Sequence, residues 1–381
     1  MGLEHFSVEP GLMERFGRAF DSRVPKVIDS LGSMGPRYYF RINTLTCNGV
    51  ELVEQMSSRL GSVWIDEHVE EAAWLPVKER HVKSQGELVE ADKFAAEAVL
   101  QGAHLYAKGV RRCHGLKAGS RASVVDEKGN LAGAGIARQS ETIVLTYRQG
   151  LAVEVTENRF GIPSLMDTQW YEKGQIHLQS LPAMVTCQVL DPQPGDLIVD
   201  LTCAPGGKMS YLSQLTGNQA RIVGFDRNTK KLEKTRRHLE RLGCKNYQLV
   251  EHDSRYVDND YSLEPDKVLV DPPCTGLGVT PKLFLETSPK DVDDLARYQK
   301  QFLKTASKIV RPGGVIVYSV CTITREECED VARFGTEELD LELDEATPMI
   351  GSRGMDPDGL TQRFDPDVHG SGFFIARFHK K

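Results

Sequence analysis

Two rhythms of apolar and polar positions divide the chain. From about residue 197 onward, short apolar runs alternate with longer stretches whose apolar residues recur at helical spacing. Strands are predicted at 197–202, 221–226, 247–253, 267–271 and 315–320, with helices at 228–242, 293–310 and 323–335 among the segments between them. Such alternation implies a parallel sheet with helices on both faces. Pro312-Gly313-Gly314 reads as a tight turn before the fifth of these strands, and Gly372 to Phe378 as one further strand.

Residues 84–160 follow another rhythm. A short helix, Asp92 to Leu100, is followed by Ser123-Val124-Val125, Leu131 to Ile136 and Thr142 to Leu145, apolar runs punctuated by glycine. Close-set short strands of this kind predict a small β-barrel; a β-rich insertion that only pads the fold is the plainer alternative. Ahead of it, residues 9–31 read as amphipathic helices broken at Pro25, Tyr38 to Asn43 as a strand and Val50 to Leu60 as a helix. Trp64, Trp74 and Pro76 mark an irregular apolar stretch whose aromatics are expected in a core. The expected domains are an N-terminal α/β extension over 1–83, the barrel over 84–162, and the alternating α/β unit over 163–381.

Composition agrees with that division. The 381 residues are 40% hydrophobic and 27% charged, which suits two or three globular domains with sizeable cores. No apolar stretch approaches the ~18 residues of a membrane span. Met1 to Phe16 carries three glutamates and no leader-like apolar core, so the expected location is the cytoplasm. The eight cysteines form no Cys-x-x-Cys pair. That argues against a metal site and a disulfide framework, and leaves buried inert thiols as the ordinary reading. A net charge of −7 does not advertise nucleic-acid binding, yet the charge is uneven. Lys108, Arg111, Arg112, Lys117 and Arg121 lie in a stretch with no acid between Glu97 and Asp126. Eight Lys or Arg occur from Arg227 to Lys245, whereas Glu326 to Glu345 holds ten acids and one base. Each run taken alone reads as a solvated face.

The candidate chemistry starts at Asp200-Leu201-Thr202-Cys203-Ala204-Pro205-Gly206-Gly207-Lys208, between the apolar run Leu197-Ile198-Val199 and the helical pattern Met209 to Thr216. Strand, glycine turn and helix start form a nucleotide-binding βα unit, in which glycine admits the ligand and the helix N-terminus offers free N–H groups. Asp226 ends the next strand twenty residues after Gly206, where an acid holds ribose hydroxyls. The turn is neither Gly-x-Gly-x-x-Gly nor a phosphate-gripping loop, so a phosphate-free adenosyl ligand, S-adenosylmethionine, fits best. A generic α/β fold is the alternative. The fourth strand runs into Asp271-Pro272-Pro273-Cys274-Thr275-Gly276 and the fifth into Ser319-Val320-Cys321-Thr322. In open α/β sheets ligands bind beyond the carboxyl ends of the strands. In the usual methyltransferase winding, Asp271, Cys274 and Cys321 would share one cleft with Gly206 and Asp226.

Two thiols and an acid beside a methyl donor suit pyrimidine methylation. Carbon 5 of cytosine is a poor nucleophile until a thiolate adds to carbon 6; after methyl transfer the carbon 5 proton leaves and the thiolate is expelled. The attacking thiol must be ionised. For Cys321 the expected help is the dipole of a helix starting near Ile323, capped by Thr322 or Thr324. Asp271 is expected to hold the cytosine amine and ring nitrogen, and Lys208 to reach donor and base. The plainer reading of any one strand-end cysteine is a small core residue. Asp-Pro-Pro-x also occurs in amino-group methyltransferases, but there an aromatic residue follows where Cys274 stands here.

These three segments together resemble the Sun-type (NOL/NOP/Sun) RNA cytosine-5 methyltransferases. Arg41-Ile42-Asn43-Thr44-Leu45 and Gly372-Phe373-Phe374-Ile375-Ala376 are similar to that family's flanking segments. The resemblance implies a class I Rossmann-like methyltransferase sheet using S-adenosylmethionine, with Cys321 as nucleophile and Cys274 assisting release of methylated RNA. It implies that Cys203, Ala204, Pro205, Gly206, Gly207, Lys208, Met209, Asp226, Lys231, Asp253 and Asp271 line the donor and base site. Val320 departs from the family's threonine before the nucleophile, and Thr202 stands in a turn that often reads Asp-x-Cys-Ala-Ala. Glu97 to Val110 resembles the start of a PUA domain, which makes the barrel an inserted PUA domain and the chain similar to the sixth-member type. That type implies tRNA as partner, methylated at the acceptor-stem end, position 72 in standard tRNA numbering. The PUA resemblance also implies that the barrel holds the CCA end or its adjoining stem, with Lys108, Arg111, Arg112, Lys117 and Arg121 on phosphates. Tyr106 is then either an RNA contact or a core residue. A monomer suffices. An rRNA methyltransferase, a non-catalytic RNA-binding relic and a small-molecule methyltransferase are the competing readings.

Overall fold

Three sheets divide the polypeptide, and each begins where the apolar rhythm changes. The computed structural model describes residues 8–381; residues 1–7 of the stretch read for a leader lie outside the described residues. Helices Pro10–Phe20 and Val24–Leu31 are separated by a short 3₁₀ turn, Asp21–Arg23. The break therefore precedes Pro25, which sits in the first turn of the second helix, where its missing N–H costs nothing. A four-stranded antiparallel sheet follows, in the order Ile176–His177, Arg37–Ile42, Ala72–Pro76, Trp64–Ile65. Trp64 lies on its edge strand, 54% exposed and stacked 6.2 Å from Trp74, so this aromatic is not the core residue expected.

The second sheet has six strands, ordered Leu105–Tyr106, Leu151–Asn158, Leu131–Ala137, Arg121–Val125, Glu87–Ala91, Val110–Cys113. Helix Lys93–Leu100 is capped by Asp92, whose side chain accepts from the Ala95 N–H. Val99 and Leu100 pack with Val89, Val124 and Val153 in the core of this unit. Thr142 to Leu145 is not a strand but the middle of a helix, Glu141–Tyr147. Of its apolar residues only Val144 is buried, while Ile143 and Leu145 stay exposed. The strand follows instead at Leu151–Asn158 and pairs on both edges.

The third sheet runs Tyr247–Glu251, Arg221–Asp226, Leu197–Asp200, Lys267–Val270, Val315–Val320, Phe373–Lys380, Gln362–Phe364, Ser352–Arg353. The first five strands are parallel, and Phe373–Lys380 lies antiparallel to Val315–Val320. This is the Rossmann-like methyltransferase order, with Leu197–Asp200 and Lys267–Val270 adjacent at the centre. Successive residues of a strand face opposite sides. Accordingly Ile198, Leu269, Val317 and Ile375 pack against Met184, Val189 and Met209 on one face. Val199, Val268, Ile316 and Tyr318 pack against Phe302, Leu303 and Ala306 on the other. Strands covered on both faces are continuous apolar runs, which is why they were legible as such. No described helix is long and apolar enough to cross a membrane.

Candidate active site

The glycine turn is shaped by its backbone. Gly206 has φ +98° at the start of helix Gly207–Leu215, a conformation that disfavours any side chain. The first turn of that helix points free N–H groups beyond the strand ends. Asp226 closes the neighbouring strand, and one of its carboxylate oxygens accepts from the Asn228 N–H at 2.8 Å. No described side chain engages the other oxygen, an acceptor that fits a ribose hydroxyl. Cys203 and Met209 reach the site through their backbone alone. Both side chains are buried, and they fill the space a Cβ on Gly224 would need. Asp253 is held by Arg255 through both carboxylate oxygens, at 2.9 and 2.6 Å, and that guanidinium keeps the acid below its ordinary value. Lys231 is exposed on helix Thr229–Arg241.

Beyond the ends of the fourth and fifth strands the expected groups converge. Lys208 Nζ lies 2.6 Å from Asp271 Oδ2, and Ser319 Oγ donates to Asp271 Oδ1 at 2.9 Å. Burial opposes the Lys208 charge, yet the Asp271 carboxylate outweighs it and holds the lysine above its ordinary value. The sulfurs of Cys274 and Cys321 are 3.4 Å apart. Their hydrogen bond lowers the Cys321 thiol against the effect of burial, and raises Cys274. The ammonium groups of Lys208 and Lys282 also favour the Cys321 thiolate, while Asp271 opposes it. These opposed directions favour the thiolate at Cys321 over that at Cys274.

The source of that activation differs from the one expected. The following helix is Glu329–Glu338 with Cys328 at its N-cap, so no helix begins near Ile323. Thr322 and Thr324 cap nothing; both hydroxyls turn to the buried Glu327 carboxylate. What lowers Cys321 is its partner thiol and two lysines, not a helix dipole.

Lys282, Ser319 and Glu327 were not singled out in the sequence. Lys282 lies in the loop that leaves Cys274 and crosses to the six-stranded unit. There Glu97 Oε1 accepts from the Leu283 N–H at 3.0 Å, and Phe284 enters that unit's core. A cleft of about 540 Å³ opens where the three parts meet, lined by Tyr38, Gln101, Gln179, Thr280 and Phe364. In the six-stranded unit Tyr106 is 53% exposed and is no core residue. Lys108, Arg111, Arg112, Lys117 and Arg121 are all exposed. The stretch without acids in sequence meets acids in space: Arg112 pairs with Glu90 at 2.8 Å and Arg111 approaches Glu127 at 3.9 Å. Arg121 donates to Gln85 at 2.7 Å.

Comparison with known proteins adds independent findings. Residues 187–379 match the family described as 16S rRNA methyltransferase RsmB/F, and residues 88–158 match the PUA domain. A tRNA (cytosine(72)-C(5))-methyltransferase of Pyrococcus horikoshii is 38% identical over 361 residues, covering 93% of this chain and 92% of that protein. The human tRNA (cytosine(72)-C(5))-methyltransferase NSUN6 is 31% identical, covering 71% of this chain and 65% of its own. The crystal structure of NSun6 from Pyrococcus horikoshii with SFG superposes with a TM-score of 0.88 at 37% identity, covering 98% of both chains.

Proposed function

The chain belongs to the RsmB/F family of RNA cytosine methyltransferases and carries a PUA domain, and from that premise we propose tRNA as its substrate and cytosine 72, at the end of the acceptor stem, as its target. It is an S-adenosylmethionine-dependent RNA (cytosine-5) methyltransferase. The domain limits that go with this reading are 1–83, 84–162 and 163–381. Its assignment to tRNA rests on the named relatives and on the loop that joins Cys274 to the PUA unit.

S-adenosylmethionine, when bound, supplies the methyl group. The backbone of Gly206 and Gly207 would hold it, with Asp226 toward the ribose. Asp271, fixed by Lys208 and Ser319, would grip the cytosine through its exocyclic amine and ring nitrogen. The Cys321 thiolate attacks carbon 6, and carbon 5 becomes nucleophilic. After methylation the carbon 5 proton passes to a base at the site, and its electron pair restores the 5,6 double bond. The carbon 6–sulfur pair returns to Cys321. Cys274, whose sulfur lies 3.4 Å from that of Cys321, would donate its S–H to the departing thiolate and stabilise it. Because the target carbon is stacked inside a stem, the base must be turned out or the stem end opened. The observation that carries the reading is the thiol pair beside Lys208–Asp271.

The direct experiment supplies labelled donor and a transcript of a tRNA with cytosine at position 72, mapping the product by bisulfite sequencing. Methylation at that position, lost in a transcript with uracil there, is expected. Methylation confined to rRNA fragments would contradict the tRNA assignment. A second expectation concerns the PUA unit. Lys108→Ala should weaken RNA binding about equally for all sequences and reduce the salt slope by roughly one. Arg112→Ala should change binding less, since Glu90 already matches that charge. Filter binding at several salt concentrations separates the two; equal effects would remove the phosphate role from Lys108.

A further inference from the structure

Glu327 is a buried acid that the reaction just described does not use. Its carboxylate nonetheless touches the loop of each thiol and Gln299. Oε1 accepts from the Thr275 N–H at 2.9 Å and from Gln299 Nε2 at 2.9 Å. Oε2 lies 2.6 Å from the Thr275 hydroxyl, 3.1 Å from that of Thr322 and 3.2 Å from that of Thr324. Thr275 follows Cys274 directly, and Thr322 follows Cys321. The Thr275 and Thr322 hydroxyls are themselves 2.7 Å apart. The second N–H of Gln299 donates to the Pro273 carbonyl, so the residue before Cys274 is tied to the same knot. The Tyr318 hydroxyl lies 2.6 Å from the Glu327 carbonyl oxygen, which anchors the acid to the strand that carries Cys321.

We propose that Glu327 is a positioning residue: one buried carboxylate that fixes the loop of Cys274 and the loop of Cys321 to each other and so sets the spacing of the two sulfurs. The proposal rests on the reading of Cys321 as nucleophile and Cys274 as its release partner. Neither loop is regular structure at this point; the backbone contact between them is the bond from the Gly278 N–H to the Cys321 carbonyl at 3.0 Å, which leaves the Cys274 side of the spacing to side chains. The carboxylate meets five donor groups from four residues, and both oxygens are fully used. Burial raises Glu327 above its ordinary value, against hydrogen bonds that lower it, the strongest from Thr275. A neutral amide can serve the same purpose. Its oxygen would take the Oε1 position and accept the two N–H groups, while its nitrogen would donate to threonine hydroxyls, which rotate to accept.

That difference supplies the test. In a Cys274→Ala background, formation of the covalent RNA adduct is followed on a denaturing gel under single-turnover conditions. Glu327→Gln should form adduct within about threefold of the Glu327 parent, because the hydrogen bonds can be remade. Glu327→Ala should slow adduct formation by about 10²-fold, the usual cost of an ångström of misplacement. In the Cys274 enzyme the same substitution should lower kcat and leave the KM for the donor unchanged. Should Glu327→Ala fail to fold, Thr275→Val and Thr324→Val give the second route. Tied to one carboxylate, they should show losses less than additive when combined. Unchanged adduct formation in Glu327→Ala, a Gln variant as slow as the Ala variant, or strict additivity of the two threonine substitutions would each overturn the clamp. An absent adduct in the parent enzyme itself would instead remove the reading of the thiol pair on which the clamp depends.

Discussion

Replacing Cys321 by alanine should abolish methyl transfer to RNA, by about 10⁴-fold or more, the scale on which an enzyme loses its nucleophile. No neighbouring group can take its place. Cys274, the thiol beside it, is raised by its hydrogen bond to Cys321 and by burial, which disfavours its thiolate. Asp271 is engaged by Lys208 and Ser319, and a carboxylate does not form the carbon 6 adduct that activates carbon 5. The fold should survive the change. The Cys321 side chain is only partly buried and packs at the margin of one core cluster, so truncation leaves little cavity. Donor binding, read by titration, should therefore persist while methylation measured with labelled donor disappears. A Cys321→Ala enzyme that still methylates cytosine would remove the sulfur from the mechanism.

Cys274→Ala has the second largest effect, and of a different kind. Expulsion of Cys321 from carbon 6 is faster the more stable its thiolate. In this structure the first cause of that stability is the hydrogen bond from Cys274, stronger than the contributions of Lys208 and Lys282. Removing it handicaps the last step, while the attacking sulfur remains in place and Lys208 and Lys282 still favour its thiolate. Turnover should fall by roughly 10²–10⁴-fold, the range attached to a positioned acid or base. Enzyme linked to methylated RNA should accumulate and migrate as a shifted band on a denaturing gel. The double variant Cys274→Ala/Cys321→Ala should show no such band. A Cys274→Ala enzyme that turns over normally, with no linked species, would leave Cys274 without a role in release.

How much of this was legible depended on the range of the interaction involved. The strands Val315–Val320 and Lys267–Val270 are buried on both faces and read as unbroken apolar runs, so their ends, and with them Asp271, Cys274 and Cys321, could be placed together. Gly206 was legible because only a tight, open turn calls for glycine between a strand and a helix. Thr142 to Leu145 misled because a β-branched apolar run of four residues carries no period of its own; the neighbouring Leu151–Asn158 was the strand. Thr322 and Thr324 misled for a related reason. Their composition fits a helix cap, but the carboxylate that claims them arrives from Glu327, one turn later in the chain. Lys282 and the matching of Arg112 by Glu90 are contacts across the fold, and spacing along the chain carries no trace of them. The basic stretch from Lys108 to Arg121 lacked acids only in sequence, since strand Glu87–Ala91 lies beside Val110–Cys113 and brings Glu90 to it.

The account stands on which sulfur carries the pyrimidine. Protease and nuclease digestion of the species trapped by Cys274→Ala, followed by mass spectrometry, identifies the cross-linked residue. The expected product is one methylated cytidine nucleotide attached to the peptide containing Cys321. Attachment through any other residue, or a peptide map in which Cys321 remains free, would contradict it.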